Sequence, residues 1–540
     1  MIKKYVAAAA MSGIVLAVLA PVSAYAAPAA RTITRDGASI TFQRVAAPAT
    51  PRSGTGPTTS DFDGDGLDDI AATARGGVVV RYSSGGHTDY IGKTGGGTAI
   101  TLGAAIAGGD FDGDGYDDLV VGDPTEVDGT NRTAAGGLWI LPGSAGGLKV
   151  SAIRHLNQSS AGVPGTAEAG DEFGGALAAG DVNGDGRADL AVGLPGESAG
   201  SVADAGGAVM FLSDAQGVST TGARWLDQGT ANMPGTPTAF DRFGSELAIG
   251  HFNHDGYGDL AIASPGENEG GTGPSRGMVN LILGSGAGLN VIGVFSVEGD
   301  DFGSVAPDVR PVRLGYGGLA LADVNGDGAD ELFAGTPEAA VAGAAGAGMV
   351  AVLEGSNDGF FVTASSVVTR KTADVPGDPA AADSFGAAVA AGDVTGDGFG
   401  DLVVGVPGQD VVDAPMAPPG TVRDAGVVSQ FRGSATGLVA RGDLSQGYEY
   451  VDGISEPGDR FGHDVRLVNL DGADGLDALI SSPGERGADA GAPAPAPGDT
   501  PGAVYECLGG DPNFMYGTHR TTGTDVAVPG FDTDVYGYVL

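Results

Sequence analysis

The sequence contains a single cysteine, Cys507, among 540 residues, so no disulfide can form within the chain. Basic residues are also few, because 27 Lys and Arg stand against 68 Asp and Glu and leave a formal net charge of −41. A surface this acidic repels nucleic acid and anionic membranes and attracts cations. The composition therefore argues against a nucleic-acid-binding protein, and bound metal is the remaining candidate for holding loops together.

Long apolar runs are scarce, and the one near the start of the chain has the features of an export signal. Two lysines precede an apolar segment, and Ala24-Tyr25-Ala26 is a small-residue cleavage site. The apolar segment is shorter than the roughly 20 residues that a transmembrane helix needs. We predict a signal peptide over residues 1–26, cleaved after Ala26, and a secreted, monomeric protein without membrane insertion.

Aromatic residues make up only 6% of the chain, whereas glycine supplies 99 residues. Short apolar runs between glycines favour short strands and turns over helices. Residues 27–60 contain one predicted strand, residues 39–45, followed by a linker rich in Pro, Gly and Thr over residues 46–60.

One acidic loop recurs seven times along the chain. In the copy at residues 110–118, carboxylates occupy the first, third, fifth and ninth positions, and glycines the fourth and sixth. Carboxylates that converge in this way repel one another unless a hard cation with oxygen ligands, above all Ca²⁺, lies between them. The copies begin at residues 61, 110, 181, 251, 323, 393 and 469, and from the second copy onward the starts are 70 to 76 residues apart. Such a period indicates an array of like units.

Two further motifs accompany each loop. A buried-type strand follows and is closed by Gly-x-Pro or Ser-Pro, and a bulky residue before glycine, as in Phe173-Gly174, stands eight residues ahead of most loops. The first loop lacks that pair, and Tyr536-Gly537 supplies one near the other end of the chain. We therefore expect the strand at residues 536–540 to complete the first unit and to close a ring of four-stranded antiparallel units. The first unit is short, which predicts a trimmed blade.

This order of motifs resembles the FG-GAP repeat of integrin alpha subunits and of secreted bacterial integrin-like proteins. The resemblance covers residues 27–540 and implies an all-β fold, a seven-bladed β-propeller over residues 61–540 with several Ca²⁺ ions in its loops. It also implies side-chain ligands at positions one, three, five and nine, and a backbone carbonyl ligand at position seven. Carried over, the metal ligands are Asp61, Asp63, Asp65, Leu67 and Asp69; Asp110, Asp112, Asp114, Tyr116 and Asp118; Asp181, Asn183, Asp185, Arg187 and Asp189; Asp323, Asn325, Asp327, Ala329 and Glu331; and Asp393, Thr395, Asp397, Phe399 and Asp401.

Two loops depart from this pattern. His251 replaces the first carboxylate of the fourth loop, and imidazole is a poor Ca²⁺ ligand, so we expect that site to be weak or empty. The seventh loop is irregular in its spacing. The weaker candidate ligands of these two loops are Asn253, Asp255, Asp259, Asn469, Asp471, Asp474 and Asp477.

Other calcium-binding folds fit the sequence less well. An EF-hand places Glu at the twelfth position of its loop, where this chain has Ala72, Val121 and Val192. The nonapeptide calcium roll requires a nine-residue period, and none is present.

Catalytic motifs are not evident. The six histidines fall in no HExxH spacing, and no Gly-x-Ser-x-Gly elbow stands between a strand and a helix. The Arg-Gly-Asp at residues 441–443 is interpreted as a chance match in a chain rich in Gly and Asp. The sequence predicts a non-catalytic binding or adhesion module for an unknown protein or glycan ligand outside the cell. A polysaccharide-acting enzyme or a lectin of propeller fold stays open, because propellers bind ligands with residues far apart in sequence.

Overall fold

The computed structural model describes residues 30–46, 54, 58–74, 77–93, 102–127, 134–268, 275–303, 306–356, 366–412, 420–447, 451, 453–473, 475–485, 502–510, 516–522 and 535–539. The predicted signal peptide lies outside these residues. Within them, every regular element is a strand except for two short 3-10 helices, Val150–Ala152 and Gly299–Gly303. The predicted all-β class is confirmed, and strands rather than helices flank the acidic loops.

Seven antiparallel sheets of the same design follow one another along the chain. The innermost strands are β6 (Ile106–Gly109), β10 (Ala176–Gly180), β16 (Glu246–Gly250), β21 (Leu319–Ala322), β26 (Ala388–Gly392), β32 (Val465–Val468) and β36 (Val535–Val539). The second strands are β3 (Ile70–Ala74), β7 (Asp118–Asp123), β11 (Asp189–Leu194), β17 (Asp259–Ser264), β22 (Glu331–Thr336), β27 (Asp401–Val406) and β33 (Asp477–Ser482). The third strands are β4 (Gly77–Arg81), β8 (Gly137–Leu141), β12 (Gly207–Phe211), β18 (Met278–Leu283), β24 (Met349–Leu353), β30 (Val427–Arg432) and β34 (Ala503–Leu508). The outer strands are β5 (His87–Gly92), β9 (Arg154–Leu156), β15 (Arg224–Leu226), β19 (Asn290–Glu298), β25 (Ser366–Val368), β31 (Val439–Leu444) and β35 (Tyr516–Thr522).

Three two-stranded antiparallel ribbons lie within the connections between these strands. They are β13 (Ser213–Asp214) with β14 (Gly217–Val218), β20 (Val309–Arg310) with β23 (Ala340–Val341), and β28 (Val411–Val412) with β29 (Thr421–Val422).

The sheets are the blades of a seven-bladed propeller, as predicted. Inner strands of successive blades contact one another, for example β6 with β10 and β10 with β16, so the blades surround a common centre. Because strand direction alternates within a blade, the acidic loops all lie on one side, which we call the metal-loop face. The connections that carry the chain from an outer strand to the next inner strand lie on the other side, which we call the opposite face.

The first blade is larger than the sequence predicts. Its inner strand β36 pairs with β3, and the hairpin of β1 (Arg31–Arg35) and β2 (Ala38–Ala46) adds two strands beyond β5. The prediction of a trimmed blade was wrong, because no regular strand is missing and only a few residues separate β3, β4 and β5. The hairpin was predicted as one strand only.

The core lies between neighbouring blades. Phe111, Leu138 and Phe173 belong to one buried cluster that joins the second and third blades, and burying a phenylalanine side chain contributes about 1.5–3 kcal/mol. The Phe173 N–H donates to the Ala135 carbonyl of the preceding blade at 2.8 Å. A Cβ on Gly122 would lie 2.2 Å from the Gly174 carbonyl oxygen, so only glycine fits at that position. The close backbone approach predicted at the Phe-Gly motif is present.

Candidate metal centres and their surroundings

The first carboxylate of the loop folds the backbone around itself. In the loop at residues 110–118, Asp110 accepts hydrogen bonds from the N–H groups of Gly113, Asp114 and Gly115 at 2.7, 3.1 and 2.9 Å. Both glycines have positive φ, at +74° and +88°, where a side chain would be strained. The same three contacts form in the loops that begin at Asp61, Asp181, Asp323 and Asp393.

In two loops the geometry fits a cation particularly well. Oxygens of Asp61, Asp63 and Asp65 lie within 4.8 Å of one another, as do those of Asp110, Asp112 and Asp114. Asp63 Oδ1 is buried and has no hydrogen-bond partner. A buried carboxylate oxygen without a donor is costly, and a hard cation among these oxygens removes that cost. The residues of these loops therefore fit Ca²⁺.

The ninth position has a structural role that the sequence did not reveal. Asp118 Oδ1 accepts the Gly143 N–H at 2.8 Å, which ties the acidic loop to the turn after the third strand of the same blade. The corresponding bonds join Asp69 to Ser83, Asp189 to Ser213, Asp259 to Gly284, Asp401 to Gly433 and Asp477 to Gly509.

Burial changes the protonation of these ninth-position carboxyls. Burial, with a smaller contribution from nearby loop carboxylates, raises the pKa of Asp118 and of Asp189 to about 7 and that of Glu331 to about 8, against the lowering effect of the backbone hydrogen bonds. Burial likewise raises the pKa of Asp259, Asp401 and Asp477 to about 6 and that of Asp69 well above its ordinary value.

Other loops satisfy their carboxylates within the protein. Asn183 Nδ2 donates to Asp189 Oδ2 at 3.1 Å, and Asn325 Nδ2 donates to Glu331 Oε1 at 2.6 Å. An aspartate at the third position cannot donate such a bond. In the loops at residues 181–189 and 323–331, the asparagine side chain therefore satisfies a carboxylate oxygen that a cation would otherwise bind.

Arginine provides a second substitute. Arg187 Nη2 lies 3.0 Å from Asp185 Oδ2, and Arg432 Nε donates to Asp397 Oδ2 at 2.9 Å. Partial burial acts to raise the pKa of Asp397, but the hydrogen bonds from Arg432, Phe399 and Thr395 and the charge of Arg432 together outweigh it, and the pKa is lowered. Among the five regular loops, those at residues 61–69 and 110–118 depend most on an added cation.

The backbone residues predicted to supply carbonyl ligands lie beside the fifth-position carboxylates. Their N–H groups donate to those carboxylates at 2.9 to 3.1 Å, and the residues are Leu67, Tyr116, Arg187, Ala329 and Phe399. Coordination through their carbonyl oxygens stays a prediction.

The fourth loop differs in the way that its histidines suggest. His251 Nδ1 lies 3.2 Å from the carbonyl oxygen of Tyr257, the position-seven group that the pattern assigns to the metal. His254 stands where regular loops have glycine and has φ +53°. Asn253 Nδ2 donates to Asp255 Oδ2 at 3.0 Å. These contacts support the expectation of a weak or empty site.

The seventh loop retains only part of the regular geometry. Asn469 Oδ1 accepts the Gly472 N–H at 3.0 Å, and Asp471 Oδ1 accepts the Ala473 N–H at 2.8 Å. The candidate ligand Asp474 lies outside the described residues.

A closed circle of backbone hydrogen bonds joins the seven loops. In each case the N–H at position eight of one loop donates to the carbonyl at position one of the preceding blade's loop, at 2.6 to 3.0 Å. The donor and acceptor pairs are Asp68 and Asn469, Asp117 and Asp61, Ala188 and Asp110, Gly258 and Asp181, Asp330 and His251, Gly400 and Asp323, and Leu476 and Asp393.

Where position eight is aspartate, its carboxylate makes a second hydrogen bond at the same junction. The carboxylates of Asp68, Asp117 and Asp330 accept the position-one N–H of the neighbouring loop at 2.7, 2.9 and 2.6 Å. Sequence reasoning missed these contacts, and the paired acids at positions eight and nine were the available signal.

The opposite face joins blades through side chains as well as through backbone bonds such as that from Phe173 to Ala135. A glutamate two residues after the strand-closing proline contacts the preceding blade, as when Gln158 Nε2 donates to Glu197 Oε2 at 2.8 Å. The other such pairs are Lys93 with Glu126, Gln228 with Glu267, and Gln446 with Glu485. Burial, aided by Asp171, raises the pKa of Glu197 to about 7. The repeated Pro-x-Glu was a usable signal that the sequence analysis did not exploit.

The Arg-Gly-Asp sequence is used internally. Asp443 accepts hydrogen bonds from Arg370 Nη1 at 2.6 Å and from Ser429 Oγ at 2.7 Å. Since its carboxylate holds the buried Arg370 side chain, these contacts support the interpretation of a chance match.

The centre of the propeller is a cavity of about 830 Å³, lined mainly by alanine, glycine and leucine of the inner strands. Among the inner strands with described side chains, the charged residues are Glu246 and Arg466. Burial is the main reason that the pKa of Glu246 is raised to about 8. The charge of Arg466 opposes this rise, and the charge of Asp464 adds to it. No helix in the described parts of the chain is long and apolar enough to cross a membrane.

Comparison with known proteins finds the repeat that these motifs define. Residues 61–121 match the FG-GAP-like repeat, and residues 102–141, 173–209, 243–278 and 385–429 match the FG-GAP repeat. Mouse integrin alpha-IIb is 37% identical over 123 residues, covering 22% of this chain and 11% of that protein. Drosophila melanogaster integrin alpha-PS5 is 31% identical over 176 residues, covering 32% and 15%.

A further relative carries an enzyme's name. Bovine phosphatidylinositol-glycan-specific phospholipase D is 30% identical over 195 residues, which cover 36% of this chain and 21% of that protein. The matched regions thus span only about a tenth to a fifth of the length of these relatives.

Comparison with solved structures matches a mutant of AofleA from Arthrobotrys oligospora, at 10% identity and TM-score 0.37, covering 88% of this chain and 95% of that one. Another is a Bacillus licheniformis rhamnogalacturonan lyase, at 12% identity and TM-score 0.32, covering 84% and 72%. TM-scores this low do not establish a shared architecture or function. The chain is therefore a seven-bladed β-propeller that contains FG-GAP repeats.

Proposed function

We propose that this protein is an extracellular, non-catalytic binding or adhesion module whose blade loops hold Ca²⁺. The observation that supports the metal most directly is Asp63 Oδ1, a buried carboxylate oxygen without a donor inside a group of three converging aspartates. When bound, Ca²⁺ supplies positive charge to these oxygens. The chain's own part is to preform the loop, which the first-position carboxylate does through three backbone N–H groups.

The extracellular placement follows from the affinity expected of such sites. Calcium sites of extracellular modules commonly have dissociation constants of about 0.1–1 mM, so they fill outside a cell and stay empty inside one. The predicted signal peptide over residues 1–26 is consistent with this placement. The similarity to integrin alpha subunits is a resemblance and does not by itself place this chain outside the cell.

The binding role is favoured over catalysis by the arrangement of the acidic groups. The Glu126 and His155 pair has the composition of a general acid and base, but both side chains are buried, and Trp139 Nε1 donates to Glu126 Oε2 at 3.2 Å. A group closed off in this way has no access to a polymer substrate. The pair therefore serves packing between strands.

Titration calorimetry of the stripped protein with Ca²⁺ tests the metal assignment. We expect uptake of at least two ions with sub-millimolar affinity, and loss of one ion in each of the variants Asp63→Ala and Asp112→Ala. The matched control Asp255→Ala, in the fourth loop, leaves the stoichiometry unchanged. Absence of heat and of bound ⁴⁵Ca in the wild type would refute the calcium assignment.

A further inference from the structure

One exposed aromatic residue on the opposite face has an unusual backbone. Phe240 lies between β15 and β16, is 62% exposed and has φ +71°. The same loop position in other blades, three residues before the Phe of Phe-Gly, is occupied by Gly170, Ala382 and Gly458, with φ +97°, +67° and +87°. In these four blades, the fold therefore requires a left-handed backbone conformation at this position.

The backbone at these four positions makes the same contact. The Phe240 N–H donates to the Ala203 carbonyl at 3.0 Å, and the N–H groups of Gly170, Ala382 and Gly458 donate to Ala134, Ala345 and Arg423 at 2.9 to 3.0 Å. The Phe240 ring is thus not needed for the turn. A side chain in the left-handed region costs about 1–2 kcal/mol, a cost that glycine avoids. Strain and exposed apolar area at one place indicate use by something outside the chain.

A second exposed aromatic side chain lies at the next blade junction on the same face. Tyr316, between β19 and β21, is 44% exposed and lines the mouth of the central cavity. The Arg313 guanidinium carbon lies 3.6 Å from the centroid of its ring, so the guanidinium stacks on one face of the ring.

Each aromatic residue is accompanied by an arginine–glutamate pair. Arg242 Nη2, two residues after Phe240, donates to Glu172 Oε2 at 2.6 Å, and Arg313 Nη1 donates to Glu338 Oε1 at 3.2 Å. Both pairs are partly exposed and neutral overall. They offer donors and acceptors to a ligand without favouring a charged one.

We propose that Phe240 and Tyr316, each with its arginine–glutamate pair, form two successive subsites for a neutral polysaccharide, an inference that rests on the proposed binding function. The apolar faces of sugar rings stack on the aromatic rings, and sugar hydroxyl groups exchange hydrogen bonds with the ion pairs. Two aromatic subsites at consecutive junctions suit a polymer of repeating units, although the arginine stacks on the ring only at Tyr316. The net charge of −41 disfavours an anionic polysaccharide.

Affinity electrophoresis of the full chain tests this proposal, with gels that contain galactomannan, xyloglucan, mixed-linkage β-glucan, dextran or polygalacturonate. We expect retardation by at least one neutral polymer, and binding at least tenfold weaker in Phe240→Gly and in Tyr316→Ala. Ala382→Gly is the matched control, because it relieves the same backbone strain without removing an aromatic ring. Both glycine variants should unfold at a higher temperature than the wild type, and only Phe240→Gly should lose binding.

Several outcomes would overturn the proposal. They are no retardation by any neutral polymer, retardation of Phe240→Gly equal to that of the wild type, or retardation by polygalacturonate alone. Phe240-dependent capture of a protein that survives glycosidase digestion would assign the surface to a protein partner instead. Calorimetry with Ca²⁺ on the same preparations keeps the two hypotheses apart, since failed calcium uptake leaves the polysaccharide result standing, and the reverse also holds.

Discussion

The two faces of the propeller join the same blades with different side-chain contacts. On the metal-loop face, seven junctions are each made by a backbone N–H and a backbone carbonyl, at 2.6 to 3.0 Å. On the opposite face, backbone bonds such as that from the Phe173 N–H to the Ala135 carbonyl are joined by bonds between side chains, such as Lys93 with Glu126 and Gln158 with Glu197. Backbone contacts do not depend on residue type, so position eight accepts Asp, Ala, Gly and Leu.

The difference lies in how regular the junctions are. The metal-loop face has the same backbone bond at every junction, whereas the side-chain bonds of the opposite face vary from junction to junction. Arg370 shows this variation, because it stands where other blades have glutamine and bonds Asp443 of the next blade's outer strand. The strained Phe240 also lies on this variable face. We infer that the ligand contacts belong there.

Removing the cation should affect one face and spare the other. At a calcium concentration one hundred times Kd, a site contributes about 2.7 kcal/mol, roughly a hundredfold in local opening. In EGTA, hydrogen exchange should therefore accelerate by at least about tenfold at the amides of residues 63–67 and 112–116. Amides of the opposite face, such as those of residues 171–174, should change little. Equal acceleration on both faces would contradict the separation.

A substitution at the first loop position should distinguish a regular loop from the fourth. Asp110→Ala removes a ligand candidate and the acceptor of three backbone N–H groups, with an expected loss of about 2–4 kcal/mol in the free energy of unfolding. His251→Ala removes one ring contact and should cost less than about 1 kcal/mol. Urea unfolding with and without Ca²⁺ measures both, and the effect of Asp110→Ala should shrink in EGTA. A similar loss in the two variants would show that the loops are equivalent.

The doubled junction contacts should have a smaller effect. Asp117→Ala leaves the Asp61 N–H without its carboxylate partner and should cost about 1–2 kcal/mol. Alanine is tolerated sterically at this position, since Ala188 occupies it at the next junction. Asp117→Asn, which keeps an acceptor oxygen, is the control and should be nearly neutral in urea unfolding. If Asp117→Asn lost as much stability as Asp117→Ala, the charge of Asp117 and not its hydrogen bond would account for the loss.

The smallest expected effect is a pH dependence on the opposite face. Because the folded pKa of Glu197 is raised to about 7, the folded state favours its protonated form, and this stabilisation is present at low pH and lost as pH rises towards 7. Glu197→Gln should show a flatter dependence of the thermal midpoint between about pH 5 and pH 7.5 than the wild type. A parallel shift of both curves would exclude Glu197 as the titrating group.

The sequence predicted the repeated parts of this molecule well and the contacts between repeats poorly. The spacing of the acidic loops and of Phe-Gly gave the seven blades, because each motif fixes a local backbone conformation. The partner of Asp117 could not be read, since Asp61 belongs to another blade and the contact arises only when the ring forms. The conformation of Phe240 was also invisible, because nothing in an amino-acid letter states its φ angle.

The first blade draws three strands from residues 70–92 and its inner strand from residues 535–539. Its inner edge therefore stays uncovered until nearly all the intervening polypeptide has been synthesised and folded. Joining segments this distant in sequence is entropically slow, so closing the circle should be a late step in folding. Until then, β3 presents an unpaired edge that other chains can pair with, so the unclosed intermediate is the form most exposed to aggregation.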